Sequence, residues 1–310
     1  MLLDWMRSLR DTSPLISIHC LAAEDGPLLA ACRASDISCD VLPFPRGIRS
    51  FGSELAQGRA RSYPRRAVSQ LRRYLDWGNA ALASLRYRSA LRRYLMQLRP
   101  DVIHSNGVKM HFLGALAKPR SSLLIWHLHE YLEKRGVVGV LLRSVVSRCS
   151  MLIAVSNSIA ADARRVLSQK PLLTVIHNAV DLDVFTPGGV GRDLSELSGL
   201  PQAPANAMRV GLIATFAHWK GHEVFLKAAA TLKGNYRFYV IGGPIYATGG
   251  SQFDLDTLRA RARDLGIAKD VGFTGFIADV PAAMRSLDIV VHACTEPEPF
   301  GLVILQALAC

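Results

Sequence analysis

The chain has 310 residues, half of them apolar and a fifth charged, with a formal net charge of +12. That length predicts about two domains, and the composition excludes a disordered chain. No uninterrupted apolar stretch approaches the ~18–20 residues of a membrane helix, since Val137–Val146 is broken by Arg143 and Asp288–Ala293 is short.

The first residues, Met1-Leu2-Leu3-Asp4-Trp5-Met6-Arg7, put an acid where a signal peptide needs continuous apolar residues, so the chain reads as cytoplasmic. Strands are expected at Leu15–Cys20 and Asp40–Leu42. Between Arg46 and Arg99 lie thirteen arginines, opposed only by Glu54 and Asp76. Within this region Val68–Leu98 predicts a helix. Val68, Leu71, Leu75, Leu82, Leu85, Leu91 and Leu95 recur at helical spacing, and Gly78 is a candidate break. Arg65, Arg72, Arg86 and Arg93 recur at multiples of seven and share a face. A solvated basic face is the plain alternative. Self-repulsion favours an anionic membrane surface, contacted by Arg65, Arg66, Arg72, Arg73, Arg86, Arg92 and Arg93. Nucleic acid is disfavoured, because neither aromatic interleaving nor a helix-turn-helix pattern accompanies the arginines.

Strands follow at Val102–His104, Leu123–Leu128, Met151–Val155 and Leu172–His177, with helices at Met110–Ala117, Val137–Arg148 and Ile159–Leu167. This alternation predicts an α/β fold with a parallel sheet. Periodicity then lapses between Thr186-Pro187-Gly188-Gly189 and Gly199-Leu200-Pro201, which reads as a linker. The alternation restarts with strands at Met208–Ala214, Tyr236–Ile241, Val271–Phe273 and Asp288–His292. Helices are expected at His222–Leu232, Phe253–Leu265, Val280–Ser286 and Leu302–Ala309. The domains are accordingly 1–186, a linker at 187–206, and 207–310. Two Rossmann-like halves joined by a hinge would face a cleft with the carboxyl ends of both sheets. Cys20, Cys32, Cys39, Cys149, Cys294 and Cys310 include no Cys-x-x-Cys pair and read as free thiols rather than disulfides or metal ligands.

The last fifteen residues carry the clearest chemistry. The acidic, proline-stiffened loop Glu296-Pro297-Glu298-Pro299-Phe300 leads from a short buried strand into Gly301 and a helix with Leu302, Leu305 and Leu308. A strand, a glycine turn and a helix start can hold an anion on backbone N–H groups. A carboxylate beside them suits neutral hydroxyls, so the pairing fits a sugar joined to a phosphate.

Five segments, in order, resemble the GT-B fold glycosyltransferases of family 4, which are retaining and use nucleotide sugars. They are Asp101-Val102-Ile103-His104-Ser105-Asn106-Gly107, Trp126-His127-Leu128-His129-Glu130, the closing motif His177-Asn178-Ala179-Val180-Asp181 through Pro187, Phe216-Ala217-His218-Trp219-Lys220-Gly221-His222, and Glu298-Pro299-Phe300-Gly301-Leu302-Val303. The resemblance implies that Lys220, with Gly221, meets the donor diphosphate, although a surface lysine at a helix start is the plain alternative. It implies that Glu298 contacts sugar hydroxyls rather than merely leading a helix. Gly301, Leu302 and Val303 would offer backbone N–H groups to the phosphate, and Phe300 would pack in the core or wall the site. His129 would approach the reacting centre, with His127 on the same strand face competing for the role. Lys220, Glu298 and His129 are the catalytic candidates. Asn178 and Asp181 read as turn formers at the hinge.

Two positions depart from the family. Thr215 stands where an arginine is usual, so it can hydrogen-bond phosphate but brings no charge. Gln306 stands where the family has a second acid, which changes a charge-assisted ribose contact into a neutral one and costs about 1 kcal/mol. Asp181-Leu182-Asp183 is explained by the closing motif, so no metal is expected, and the nucleotide-diphosphate sugar is a co-substrate rather than a cofactor. The family also begins with an earlier strand and continues past Cys310, which implies an internal portion of a longer enzyme or the product of a broken gene. Transfer of a hexose to a glycan or lipid-linked acceptor in cell-envelope polysaccharide synthesis is the leading expectation. A non-catalytic remnant that binds a nucleotide sugar is the alternative, and a basic nucleic-acid binder the weaker one.

Overall fold

Residues 2–45, 67–168, 171–245 and 251–310 are described by the structure, a computed structural model, and within 67–81 only the backbone. The chain divides into two compact units, Met1–Asn178 and Ala179–Cys310.

The first unit runs α1 (Leu2–Thr12), β1 (His19–Ala22), α2 (Pro27–Arg33), β2 (Ser38–Val41), α3 (Ala67–Leu98), β3 (Val102–Asn106), α4 (Val108–Ala117), β4 (Leu123–Leu128), α5 (Val137–Val145), β5 (Met151–Ala154), α6 (Asn157–Leu167) and β6 (Leu172–Val175). Its strands are parallel, as expected, but they form two sheets. β1 pairs with β2, and β3-β4-β5-β6 form a separate sheet in that order.

The strand expected from Leu15 starts only at His19. Pro14 has no N–H to give a ladder, and the N–H of Ile16 closes a turn on Ser13 at 2.9 Å, which leaves Leu15 in solvent. α3 runs through Gly78 without a break. Its buried Tyr87, Leu91 and Leu95 pack with Leu113 and Ala117 of α4 and with Leu21 and Leu42 beside the smaller sheet. The Tyr94 hydroxyl, 2.7 Å from Asp40 and 2.6 Å from His19, adds a polar tie to the same sheet. α3 therefore spans both sheets of the unit.

Arg65 and Arg66 lie outside the described residues, as do the side chains of Arg72 and Arg73. Arg86, Arg92 and Arg93 are exposed. Arg92 also donates to the Lys118 carbonyl at 3.2 Å, at the carbonyl end of α4, where a cation is favoured. Among the described residues no helix is long and apolar enough to cross a membrane. All six cysteines are free.

The second unit contains α7 (Leu194–Ser198), β7 (Met208–Ile213), α8 (His222–Thr231), β8 (Tyr236–Ile241), α9 (Leu255–Asp264), β9 (Val271–Gly275), α10 (Val280–Arg285), β10 (Ile289–Val291) and α11 (Leu302–Ala309). The segment expected to be a bare linker carries α7, capped by Asp193, whose carboxylate accepts from the N–H groups of Ser195 and Glu196. Ser195 is buried and shares a 2.8 Å hydrogen bond with the Tyr239 hydroxyl of β8, so this segment packs onto the second unit. The sheet is wholly parallel in the order β10-β7-β8-β9. Phe216, Phe225, Leu226, Phe238, Val240 and Leu258 are central to its core.

Candidate functional site

Parallel pairing fixes where the second unit's loops emerge. β7 and β10 are direct neighbours, so the loops after both leave the same sheet edge side by side. After β7 come Thr215, Phe216, a tight turn at His218–Lys220, and Gly221. After β10 come His292, Cys294 and Glu298, then Gly301 and α11.

Backbone contacts lock the two loops together. The N–H of Thr295 donates to the Trp219 carbonyl at 2.9 Å. Gly221 sits at φ 76°, and a Cβ there would overlap the Ala293 carbonyl oxygen. Only glycine allows both the left-handed conformation and that approach.

The result is an ion pair of Lys220 Nζ with Glu298 Oε2 at 2.6 Å, each side chain about a quarter exposed, 22% and 25%. The Cys294 thiol donates to the same oxygen at 3.0 Å, and His292 Nε2 lies 3.6 Å from it. Burial alone would raise the Glu298 pKa. Hydrogen bonds from Lys220 and Cys294 outweigh it and hold the pKa below the usual carboxylate value, so Glu298 is an anion that accepts hydrogen bonds. Cys294 is pushed up to about 12, by burial and then by its bond to Glu298, so it stays a thiol at neutral pH.

The other predicted residues of this half lie on the same two loops and on α11. Gly301, at φ 74°, is the N-cap of α11, and Leu302 and Val303 form that helix's first turn. Gln306 lies half-buried further along α11. Thr215, half-buried, lies two residues past the end of β7. Phe300 is half-buried as well, so it is a flank of the loop rather than a core residue. His222, behind Lys220 at the start of α8, is fully buried between Phe216 and Phe253, and burial lowers it to about 4.

His129 belongs to the first unit. β4 buries Leu124, Trp126 and Leu128 on one face and turns His127 to the other, where His129 follows it. The two rings lie 4.1 Å apart, and His127 meets His104 of β3 edge-on at 5.2 Å. Asn106 orders the group: its Oδ1 accepts from His129 Nε2 at 2.9 Å, while its Nδ2 lies 3.3 Å from His104 Nδ1. Nδ1 of His129 has no hydrogen-bond partner among the described residues. Burial lowers the pKa of His129, and burial plus the neighbouring His129 lowers His104 to about 4 and His127 to about 3. All three are neutral imidazoles at pH 7. Asp162, buried on α6, accepts the N–H of Leu132 at 2.6 Å and so fastens the chain just beyond His129, where Glu130 pairs with Arg135.

Lys220 and Glu298, 78 residues apart, are brought together as a pair. The sequence reading missed His292 and Cys294 as parts of this group, and Asn106 as the partner of His129. The one sequence signal for Asn106 is its position before Gly107 at the end of a strand.

Residues 29–184 match the family described as Glycosyltransferase Family 4, and residues 201–310 match Glycosyl transferases group 1. The chain belongs to the family 4, group 1 glycosyltransferases. The D-inositol 3-phosphate glycosyltransferase of Mycolicibacterium smegmatis is 35% identical over 146 residues, which cover 44% of this chain and 30% of that protein. The enzyme of the same name from Mycobacterium tuberculosis is 33% identical over 174 residues, covering 54% of this chain and 34% of that one. The chain thus spans about a third of the length of these curated relatives. Among solved structures, Anabaena HepE in complex with UDP and glucose superposes with a TM-score of 0.72 at 23% identity, covering 100% of this chain and 74% of HepE. A glycosyltransferase from Rickettsia africae gives a TM-score of 0.71 at 16% identity, covering 98% and 72%. Both likenesses give the fold, GT-B, with a Rossmann-like parallel sheet in each half.

Proposed function

We propose that the chain carries the donor chemistry of a retaining glycosyltransferase, moving a hexose from a nucleotide-diphosphate sugar to a glycan or lipid-linked acceptor in cell-envelope polysaccharide synthesis. The Lys220–Glu298 pair carries this reading. It holds a cation for the leaving diphosphate beside an anion for sugar hydroxyls, at the sheet edge where α11 begins. In this scheme the diphosphate draws Lys220 away from Glu298, and the carboxylate then accepts from the sugar. Gly221 keeps the lysine loop close. The N–H groups of Leu302 and Val303, behind Gly301, add the positive end of a helix. Thr215 supplies a hydroxyl to phosphate, Gln306 two hydrogen bonds to ribose, and Phe300 a flank. His129, a neutral imidazole of the first unit, is the third catalytic candidate. Lys220 and the helix start neutralise the leaving group without a metal ion. A uridine nucleotide is favoured by the UDP and glucose of the HepE complex. The exposed Arg86, Arg92 and Arg93 suit docking on the inner face of an anionic membrane.

The test is release of UDP from UDP-glucose, run with a lipid-linked glycan acceptor and, separately, with D-inositol 3-phosphate. Lys220→Ala is expected to lower turnover by about 10²–10³-fold, the usual loss for a donor to developing negative charge. Absence of release with any acceptor, or full activity in Lys220→Ala, overturns the assignment. Thr215 and Gln306 favour a second reading, a non-catalytic nucleotide-sugar binder. It predicts thermal stabilisation by UDP-glucose or a GDP-sugar without turnover.

A further inference from the structure

We propose that His292, Cys294 and Glu298 form a site for a thiophilic divalent ion of the Zn²⁺ type, and that this ion and Lys220 exclude one another at Glu298. The three ligand atoms lie within 4.8 Å of one another. Glu298 Oε2 is 3.0 Å from Cys294 Sγ and 3.6 Å from His292 Nε2. A tetrahedral zinc ion with bonds of ~2.0–2.3 Å spaces its ligands ~3.3–3.6 Å apart, and both distances from Glu298 lie within tenths of an ångström of that range. One short stretch of chain carries all three residues, and no distant element has to move to assemble them. His292 Nε2 has no hydrogen-bond partner among the described residues, which leaves its ring nitrogen available as a ligand.

The donor set selects the ion. Mg²⁺ and Ca²⁺ take oxygen ligands, whereas a set of imidazole, thiol and a single carboxylate suits Zn²⁺ and its neighbours. On binding, the S–H···O hydrogen bond to Glu298 is replaced by a metal–sulfur bond, and the thiol proton leaves to solvent. A fourth coordination position stays open to water.

Lys220 opposes the ion directly. Its ammonium is 2.6 Å from the same carboxylate oxygen, and like-charge repulsion bars it from staying there beside a divalent cation. Occupancy therefore breaks the Lys220–Glu298 pair. The ion acts as an antagonist of the lysine arrangement, not as a cofactor. Ion binding itself needs no sugar nucleotide, so it can fail or succeed independently of the transferase reading.

The experiment uses the full chain and Co²⁺ as a spectroscopic stand-in. One equivalent is expected to produce a near-ultraviolet thiolate-to-cobalt charge-transfer band, which added Zn²⁺ removes. Cys294→Ser abolishes the band, and His292→Gln weakens Co²⁺ affinity by about tenfold or more. Lys220→Ala removes the opposing cation and tightens Zn²⁺ binding by roughly threefold or more. Absence of a band at one equivalent overturns the proposal. So does a band that survives Cys294→Ser, which assigns it to other thiols such as Cys20 and Cys32. A Lys220→Ala chain that binds Zn²⁺ no more tightly overturns the exclusion. Should circular dichroism show Cys294→Ser unfolded, the decision passes to His292→Gln, where unchanged affinity is the refuting result.

Discussion

Gly221→Ala tests whether backbone contact locks the loops after β7 and β10 together. Two costs add at this position. An L-residue at φ 76° costs about 1–2 kcal/mol. The new Cβ also overlaps the Ala293 carbonyl oxygen and lies 2.6 Å from its carbon. That neighbour is backbone, so no rotamer change relieves the clash, and overpacking of this kind costs about 1–3 kcal/mol. The stiffer unfolded chain returns about 0.4–1 kcal/mol. The net loss is therefore about 2–4 kcal/mol.

Gly266 is the internal control. It has φ 72°, with no atom within 4 Å of a built Cβ, so Gly266→Ala carries the conformational cost alone, about 1 kcal/mol. Urea unfolding of both variants isolates the steric part. Isothermal titration with UDP-glucose should show a loss of about tenfold or more in Gly221→Ala only, through the displaced Lys220. Equal destabilisation by the two substitutions would refute the locked-loop argument.

Two further outcomes test the first unit and the histidines. Asp162→Ala leaves the buried N–H of Leu132 unpaired and should cost about 1–3 kcal/mol in urea unfolding; Asp162→Asn, which keeps an acceptor, should cost less, and equal losses would refute the hydrogen-bond account. Burial lowers His104 and His222 to about 4, and His111 and His127 to about 3, from 6.5. The unfolded chain therefore binds more protons than the folded one below about pH 6.5, so the stability from these neutral imidazoles is complete above that pH and is lost as pH falls towards 4–3. The urea midpoint should drop on acidification through this window, less steeply in His111→Gln; a slope unchanged by that substitution would remove His111 from the account.

The elements most legible in the sequence were those whose local pattern and tertiary burial agree. Leu123–Leu128 and Tyr236–Ile241 have the expected bounds because each is a largely apolar run ended by a polar or turn residue, His129 or Gly242, and Leu302–Ala309 starts where Gly301 caps it. Helix α7 was not legible, since five residues are too few to show periodicity, although Asp193 three residues before Glu196 is a capping signal. The separation of β1 and β2 from the other sheet was hidden for another reason: pairing partners follow from how α3 packs, not from any strand's own residues. Lys220 and Glu298 could be named from motifs because each lies beside a glycine, Gly221 or Gly301, that its turn requires. His292 and Cys294 carry no such mark. Their place beside Glu298 depends on the path of the loop after β10, which residue type does not reveal.

The same loop shows why the neutral residues at 215 and 306 matter to the charge balance. With Thr215 and Gln306 uncharged, Lys220 and Glu298 are opposite charges that satisfy each other at 2.6 Å. In the proposed scheme a diphosphate that takes Lys220 removes the nearest cation from a carboxylate that is about three-quarters buried, and that loss is costly. Cys294 keeps one hydrogen bond on that oxygen. His292, 3.6 Å away, faces the same oxygen, and sugar hydroxyls are further donors that a nucleotide sugar would bring to that end. In that scheme the ion pair would couple the two halves of the ligand, because the phosphate's claim on Lys220 weakens the hold on Glu298 that the sugar then reinforces.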